Sequence, residues 1–221
     1  MPGHIVAMGG WHRCHLDLML DLAPAARPRL LFLATASADD PSRILAFHEL
    51  AATLDCEPDH VRLFGIPDAP LERIARADAV LVSGGNTANM LAVWRVHRVD
   101  RALHACWDGG AVLGGGSAGA NCWFEASVTD SFGPVLQPLP DGLGLLAGSF
   151  CPHYDVEPER RPTYKRLVAD GALPEGVACD DAAAAWFEGT TLRAIVTGDP
   201  EAGAWRVTTN GEERLDARLL P

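Results

Sequence analysis

The sequence predicts an α/β protein: a mostly parallel sheet with helices on both faces, and antiparallel strands near the C-terminus. Three observations carry this reading. Short apolar runs alternate with longer segments of helical periodicity through the first two-thirds of the chain. One of those runs, Arg29 to Thr35, is apolar without alternation, as a strand covered on both faces must be. In the last third, apolar runs follow one another closely across Gly-containing turns, which is a hairpin pattern.

Taken in order, His4-Ile5-Val6-Ala7-Met8 reads as the first strand, and it is ended by Gly9-Gly10. Leu16 to Leu22 then has helical spacing, and Arg29 to Thr35 is the second strand. Pro41-Ser42 opens a helix that reaches about Leu54, because proline is tolerated in a first turn whose N–H groups have no intrahelical partner. Val61-Arg62-Leu63-Phe64 is a short strand candidate. Ala79 to Ser83 is a stronger one, and it runs into Gly84-Gly85-Asn86-Thr87 and a helix carrying Met90, Leu91 and Trp94. Ala111 to Gly114 is the next strand and leads to Ser117, and Leu143 to Phe150 is an extended segment leading to Cys151-Pro152-His153. This repetition of strand and helix implies crossover connections and a parallel sheet. Val177 to Cys179, Ala183 to Phe187, Leu192 to Val196 and Trp205 to Thr208 then read as antiparallel strands appended to it, with turns at Glu188-Gly189 and Asn210-Gly211.

Bulk properties narrow the function. At 221 residues, one domain spanning 1–221 is expected, with no repeat or linker to divide it. A formal net charge of −11 argues against nucleic-acid binding, which needs clustered Lys and Arg to neutralise phosphates. The N-terminus lacks a basic start followed by an apolar run, and no stretch approaches the roughly 18 apolar residues of a membrane span. The six cysteines are scattered without CxxC spacing, so they read as buried thiols in a reducing cytoplasm. The eight histidines form no HxxxH or HExxH pattern, and neither a metal nor a cofactor is expected.

The run Gly115-Gly116-Ser117-Ala118-Gly119 carries the chemistry. A serine hydroxyl is a weak nucleophile unless it is exposed and has a base beside it. Here a strand ends, glycines permit a strained turn, Ser117 sits at the tip, and small residues let a helix begin without colliding with the strand. Backbone N–H groups at that helix start would face a developing oxyanion. A phosphate-cradling loop would want a Lys after the glycines, and none is present. Gly84-Gly85 follows a neighbouring strand, so its N–H groups can supply a second oxyanion donor beside that of Ala118. The same four residues also suit an ordinary helix start capped by Asn86 or Thr87.

Gly84-Gly85-Asn86-Thr87, Gly116-Ser117-Ala118-Gly119-Ala120-Asn121 and Pro152-His153-Tyr154 together resemble the motifs of the aspartyl dipeptidase (peptidase E) family of serine peptidases, to which cyanophycinases are related. The resemblance runs from the first strand to about Phe187. It implies a flavodoxin-like three-layer sandwich related to class I glutamine amidotransferases, and it allows a homodimer. It also implies that His153 is the general base and that an acid follows it in the order Ser, His, acid. Asp181 fits that place, with Asp in place of the Glu of peptidase E, so the shorter arm needs a closer backbone. Asp180 and Asp130 are the other candidates, Asp130 with a binding or structural role in preference. An Arg downstream of the His would pair with a substrate carboxylate, and Arg160 is the best positional match, followed by Arg161. Pro162 and the neighbouring acids depart from the dipeptidase pattern there, and the stretch also suits a solvated helix start.

The expected activity is therefore hydrolysis of dipeptides or small peptides, with N-terminal Asp as the residue the resemblance implies, through an acyl-enzyme formed by Ser117, His153 and Asp181, with Gly85 and Ala118 at the oxyanion. Gly84, Asn86, Thr87, Asp130 and Arg160 would line the substrate. The alternatives are a non-catalytic binding domain of the same fold, or a hydrolase of non-peptide amides and esters.

Overall fold

A computed structural model describes residues 3–221. The chain begins β1 (His4–Met8), α1 (Arg13–Leu22), β2 (Arg29–Leu33), α2 (Pro41–Ala51), β3 (Glu57–Val61), α3 (Pro70–Arg76), β4 (Ala79–Val82), α4 (Thr87–His97), α5 (Val99–Asp108), β5 (Val112–Gly116) and α6 (Ala118–Asn121). It continues through β6 (Phe124–Thr129), β7 (Gln137–Leu139), β8 (Leu146–Cys151), α7 (Arg160–Ala169), β9 (Gly176–Cys179), β10 (Ala183–Glu188), β11 (Thr191–Thr197), β12 (Ala204–Thr208), β13 (Gly211–Leu215) and β14 (Ala217–Leu219).

Eight strands form the central sheet in the order β14-β11-β10-β1-β5-β4-β2-β3. Its half from β1 to β3 is parallel, and β10 and β11 are added antiparallel beside β1. Burial on both faces explains why β4 is apolar throughout and why β1 and β2 are apolar after their first residues, His4 and Arg29. On one face α1 and α2 contribute Leu16, Met19 and Phe47, which pack with Leu30, Phe32 and Leu81 of the sheet. On the other face Ile74, Leu91, Trp94, Leu103 and Trp107 of α3, α4 and α5 close the core. Helix starts follow local chemistry. Asp40 caps α2 by accepting from the Ser42 N–H at 2.8 Å, and Asn86 caps α4 by accepting from the Asn89 N–H at 2.8 Å.

The last third differs from the simple appended pattern. Six strands form a second sheet in the order β13-β12-β9-β8-β6-β7. Val177 to Cys179 and Trp205 to Thr208 therefore leave the central sheet and pair with each other. The reason is visible in β8 and β9, which are apolar on both sides. Phe150 and Cys179 face the central core, whereas Cys151 and Ala178 pack under Tyr164, Leu167 and Val168 of α7. Strands with two apolar faces need two covers, and an edge position on the first sheet would leave one bare. The strand expected at Val61 to Phe64 instead ends at Val61, and the N–H groups of Leu63 and Phe64 donate to the Asp39 carboxylate. As an edge strand β3 tolerates Pro58.

All six cysteines are unpaired, and all but Cys106 are buried. Among the described residues no helix is long and apolar enough to cross a membrane.

His15 on α1 is fully buried, and neither ring nitrogen makes a full hydrogen bond. Burial, helped by the charge of nearby His12, holds it at about 4 against the pull of the Val196 and Ala182 carbonyls. Below its ordinary value of 6.5 the unfolded chain takes a proton that the folded chain refuses. Stability from this group is thus complete above that pH and is lost as pH falls towards 4. Replacing His15 with Leu should remove a loss of about 2–3 kcal/mol between pH 7 and pH 4.5. Urea unfolding of both proteins at the two pH values measures this, and an equal loss in both would refute it.

Candidate active site

Ser117 stands between the end of β5 and α6 with φ 57° and ψ −118°. A non-glycine residue held there stores on the order of 1–3 kcal/mol, so its surroundings must fix it. The Ser117 N–H donates to the Met8 carbonyl at 3.3 Å, and its own carbonyl accepts from Ala120 and Asn121. Close backbone packing does the rest. A Cβ on Gly115 would lie 2.5 Å from the Val82 carbonyl oxygen, and one on Gly119 only 2.4 Å from the same atom. These two positions admit nothing larger than hydrogen. The helix behind Ser117 is shorter than the strand–turn–helix pattern suggests: α6 has four residues. Any positive potential there comes from individual N–H groups, not from a summed helix dipole.

His153 follows β8 and Pro152, also at positive φ (54°). Its Nδ1 meets Asp181 Oδ1 at 2.5 Å. Asp181 is fixed through its backbone. Its N–H donates to Asp155 Oδ1 at 3.0 Å, and its carbonyl accepts from the Gly10 N–H at 3.0 Å. A Cβ on Gly10 would fall 2.6 Å from Asp181 Cγ, and one on Gly116 would fall 3.0 Å from the Gly10 oxygen. Gly10 is therefore the spacer that lets the serine turn and the acid turn approach from opposite sides of β1.

The other acids are placed elsewhere. Asp180 is buried, accepts from the Gly203 N–H at 2.8 Å, and is pushed up to about 6 chiefly by burial. Asp130 is exposed, and its nearest cation is Arg160 at 3.9 Å.

Ser117 and His153 line one cavity of about 500 Å³. The buried Phe32, Phe47 and Leu81 line it together with Gly10, Gly84 and Gly85. A Cβ on Gly84 would stand 3.5 Å from Ser117 Cβ and 4.0 Å from its Oγ, so a side chain at Gly84 would touch the serine. Gly85, at φ 143°, has room for none, because its Cβ would meet the Ala36 oxygen at 2.1 Å. Among the described residues the N–H groups of Gly85 and Ala118 have no acceptor.

Several expected substrate residues do not reach this cavity. Thr87 is buried with its hydroxyl 3.5 Å from Asn121 Nδ2, and Asn86 caps α4 and donates to the Ser131 carbonyl. Arg160 is 3% exposed, bonds Glu157 at 2.6 Å, and donates to the Val128 carbonyl. It is a tie between α7 and β6, with its guanidinium already occupied. Arg161 bonds Glu212 at 2.8 Å over the faces of Tyr154 and Trp205. Three residues escaped sequence reasoning: Trp11 and Arg43, which line the cavity, and Asp155. A signal existed for two of them. Trp11 follows the carboxyl end of parallel strand β1, and Arg43 lies in the first turn of α2, the helix after β2, on the side where ligands of open α/β sheets bind.

Residues 5–195 match peptidase family S51. The chain belongs to that family. It is 42% identical over 211 residues to the uncharacterized peptidase YgaJ of Bacillus subtilis strain 168, covering 92% of this chain and 91% of that one. It is 30% identical over 207 residues to peptidase E of Streptomyces coelicolor, covering 93% and 79% of the two chains. The crystal structure of a peptidase from an acI-B1 Actinobacterium superposes with a TM-score of 0.74 over 98% of this chain and 95% of that one, at 18% identity, which shows a shared fold. This S51 member is thus a serine peptidase with the α/β architecture read from its sequence.

Replacing Gly10 with Ala should force the Asp181 carboxylate away and lower kcat/KM by about 10- to 100-fold, since small misplacements of a site have effects of this order. Peptidase assays alongside thermal melts check this, and undiminished activity in a folded variant would contradict it.

Proposed function

We propose that this serine peptidase hydrolyses dipeptides and other small peptides through an acyl-enzyme formed on Ser117. The observation that carries the reading is the pairing of a strained, cavity-facing serine with a histidine whose far nitrogen is held by a carboxylate. In this reading His153 presents Nε2 to Ser117 Oγ once substrate orders the cavity. It takes the hydroxyl proton as Oγ attacks the carbonyl carbon. Asp181 keeps the Nδ1 proton in place and stabilises the imidazolium that forms. The N–H groups of Gly85 and Ala118 receive the oxyanion, a role supported by their lack of any protein acceptor among the described residues. His153 then returns the proton to the leaving amine, and water cleaves the acyl-enzyme by the same path reversed.

Asp181, not Asp180 or Asp130, is the acid of this mechanism, because it is the one on the imidazole. Strict preference for N-terminal Asp through Arg160 is not part of the proposal, because that guanidinium is spent on Glu157 and Val128. Six unpaired thiols favour a reducing cytoplasm as the place of action.

Ser117→Ala should abolish dipeptide hydrolysis and labelling by a fluorophosphonate probe while leaving the melting temperature close to that of the parent. Asp181→Asn should lower kcat by on the order of 10³–10⁴, as expected when an imidazole loses its orienting acid. An unlabelled wild-type protein, or a fully active Ser117→Ala variant, would overturn the mechanism.

A further inference from the structure

The charge pattern of the cavity is at odds with that of the chain. The sequence holds 29 acidic and 18 basic residues, yet no Asp or Glu lines the cavity that contains Ser117. Its one permanent cation is Arg43, in the first turn of α2. Among the described residues Arg43 has no carboxylate within 4.0 Å, and the nearest acid in sequence, Asp40, is occupied by the N–H and hydroxyl of Ser42. Arg43 shares this cavity with the apolar Phe32, Phe47 and Leu81 and with Ser117.

We propose that Arg43 is the residue that holds a carboxylate of the substrate in this cavity and so restricts the peptidase to short peptides bearing an acid group close to the scissile bond. The inference rests on the reading of Ser117 as the nucleophile. It takes over the task that sequence position suggested for Arg160, whose guanidinium is buried and already bonded. A planar fork of N–H donors pairs a carboxylate in bidentate fashion, and the acid group can come from the peptide C-terminus or from an acidic side chain. The two sources call for the same partner and differ only in which atom chain delivers it. A cavity of about 500 Å³ has room for a dipeptide but not for a folded chain, so one of the two carboxylates always lies near the serine.

The test uses three peptides: Ala-Leu with a free C-terminus, Ala-Leu amide with no carboxylate, and Asp-Leu amide with a side-chain carboxylate only. Hydrolysis by wild type, Arg43→Ala and Arg43→Lys is measured, and binding of the same peptides to Ser117→Ala with and without Arg43→Ala is followed by calorimetry. Loss of the guanidinium should lower kcat/KM for a carboxylate-bearing peptide by about 10- to 100-fold, the range of a charge-assisted hydrogen bond, and change that for Ala-Leu amide less than about 3-fold. Arg43→Lys should recover part of the loss. Which of Ala-Leu and Asp-Leu amide responds identifies the source of the acid group. Equal effects on all three peptides, no effect on any, or no binding and no hydrolysis of any by the wild type would overturn the assignment. Arg43-dependent binding by a protein that a fluorophosphonate fails to label would leave Arg43 standing and remove the catalytic reading of Ser117 instead.

Discussion

The site depends on backbones approaching one another more closely than side chains allow. Around the carboxyl ends of β1 and β5 the chain places Gly10, Gly115, Gly116 and Gly119 where a Cβ would lie between 2.4 and 3.0 Å from a neighbouring atom. Real Cβ atoms do not sit at the shorter of these separations, so the arrangement exists only because these residues are glycine. Its product is a rigid frame around Ser117, whose left-handed conformation would relax in a looser setting. Strain of this kind persists when several contacts over-determine the residue. The Met8, Ala120 and Asn121 hydrogen bonds and the Val82 contacts supply that over-determination. The carboxyl-end position follows from topology, since parallel strands bring all their following loops to the same edge.

The second sheet serves this frame. His153 and Asp181 are carried not by the strands that carry Ser117 but by β8 and β9. The two turns are stitched together where the Tyr154 N–H donates to the Cys179 carbonyl at 3.1 Å. That bond draws the turns close enough for an Asp, one methylene shorter than Glu, to reach the imidazole. Asp181 is then joined back to β1 through Gly10. Gly10 is thus one of the points at which the two sheets touch, and the distance between Ser117 and His153 is set by how the sheets pack. The packing has its own anchors. Phe124 and Phe150 stack with centroids 5.0 Å apart in the shared core, and the Arg161, Lys165 and Tyr154 bonds to Glu212 tie α7 to β13. Those bonds hold the Glu212 carboxyl at about 2 although its burial opposes ionisation.

Local signals made part of this legible in the sequence. The elbow around Ser117, the unbroken apolar strands β2 and β4, the Pro-started α2 and the turns at Gly189 and Gly211 each depend on residues adjacent in the chain. Gly9-Gly10 could be seen as the end of a strand but not as a spacer, because its partner Asp181 is 171 positions away. The second sheet was hidden for a related reason. Apolar runs such as Val177 to Cys179 show that a strand is buried and say nothing about which sheet buries it. Arg160 illustrates the limit from the other direction: its place after the histidine suggests a substrate contact, and only three dimensions reveal Glu157 and the Val128 carbonyl occupying it.

That exchange of roles bears on specificity. A buried arginine paired with one carboxylate and one carbonyl cannot be freed for substrate without leaving Glu157 half-paired and a cation unsatisfied in the core, a change that costs several kcal/mol. Substrate binding worth less than that does not dislodge it. An exposed arginine at the cavity rim with no internal partner pays no such penalty when a carboxylate arrives. The physical asymmetry between Arg160 and Arg43 is therefore in desolvation, not in charge, since both are guanidinium ions. It follows that the fold uses Arg160 to join α7 to β6 and leaves recognition to a residue of the cavity itself, at the start of α2.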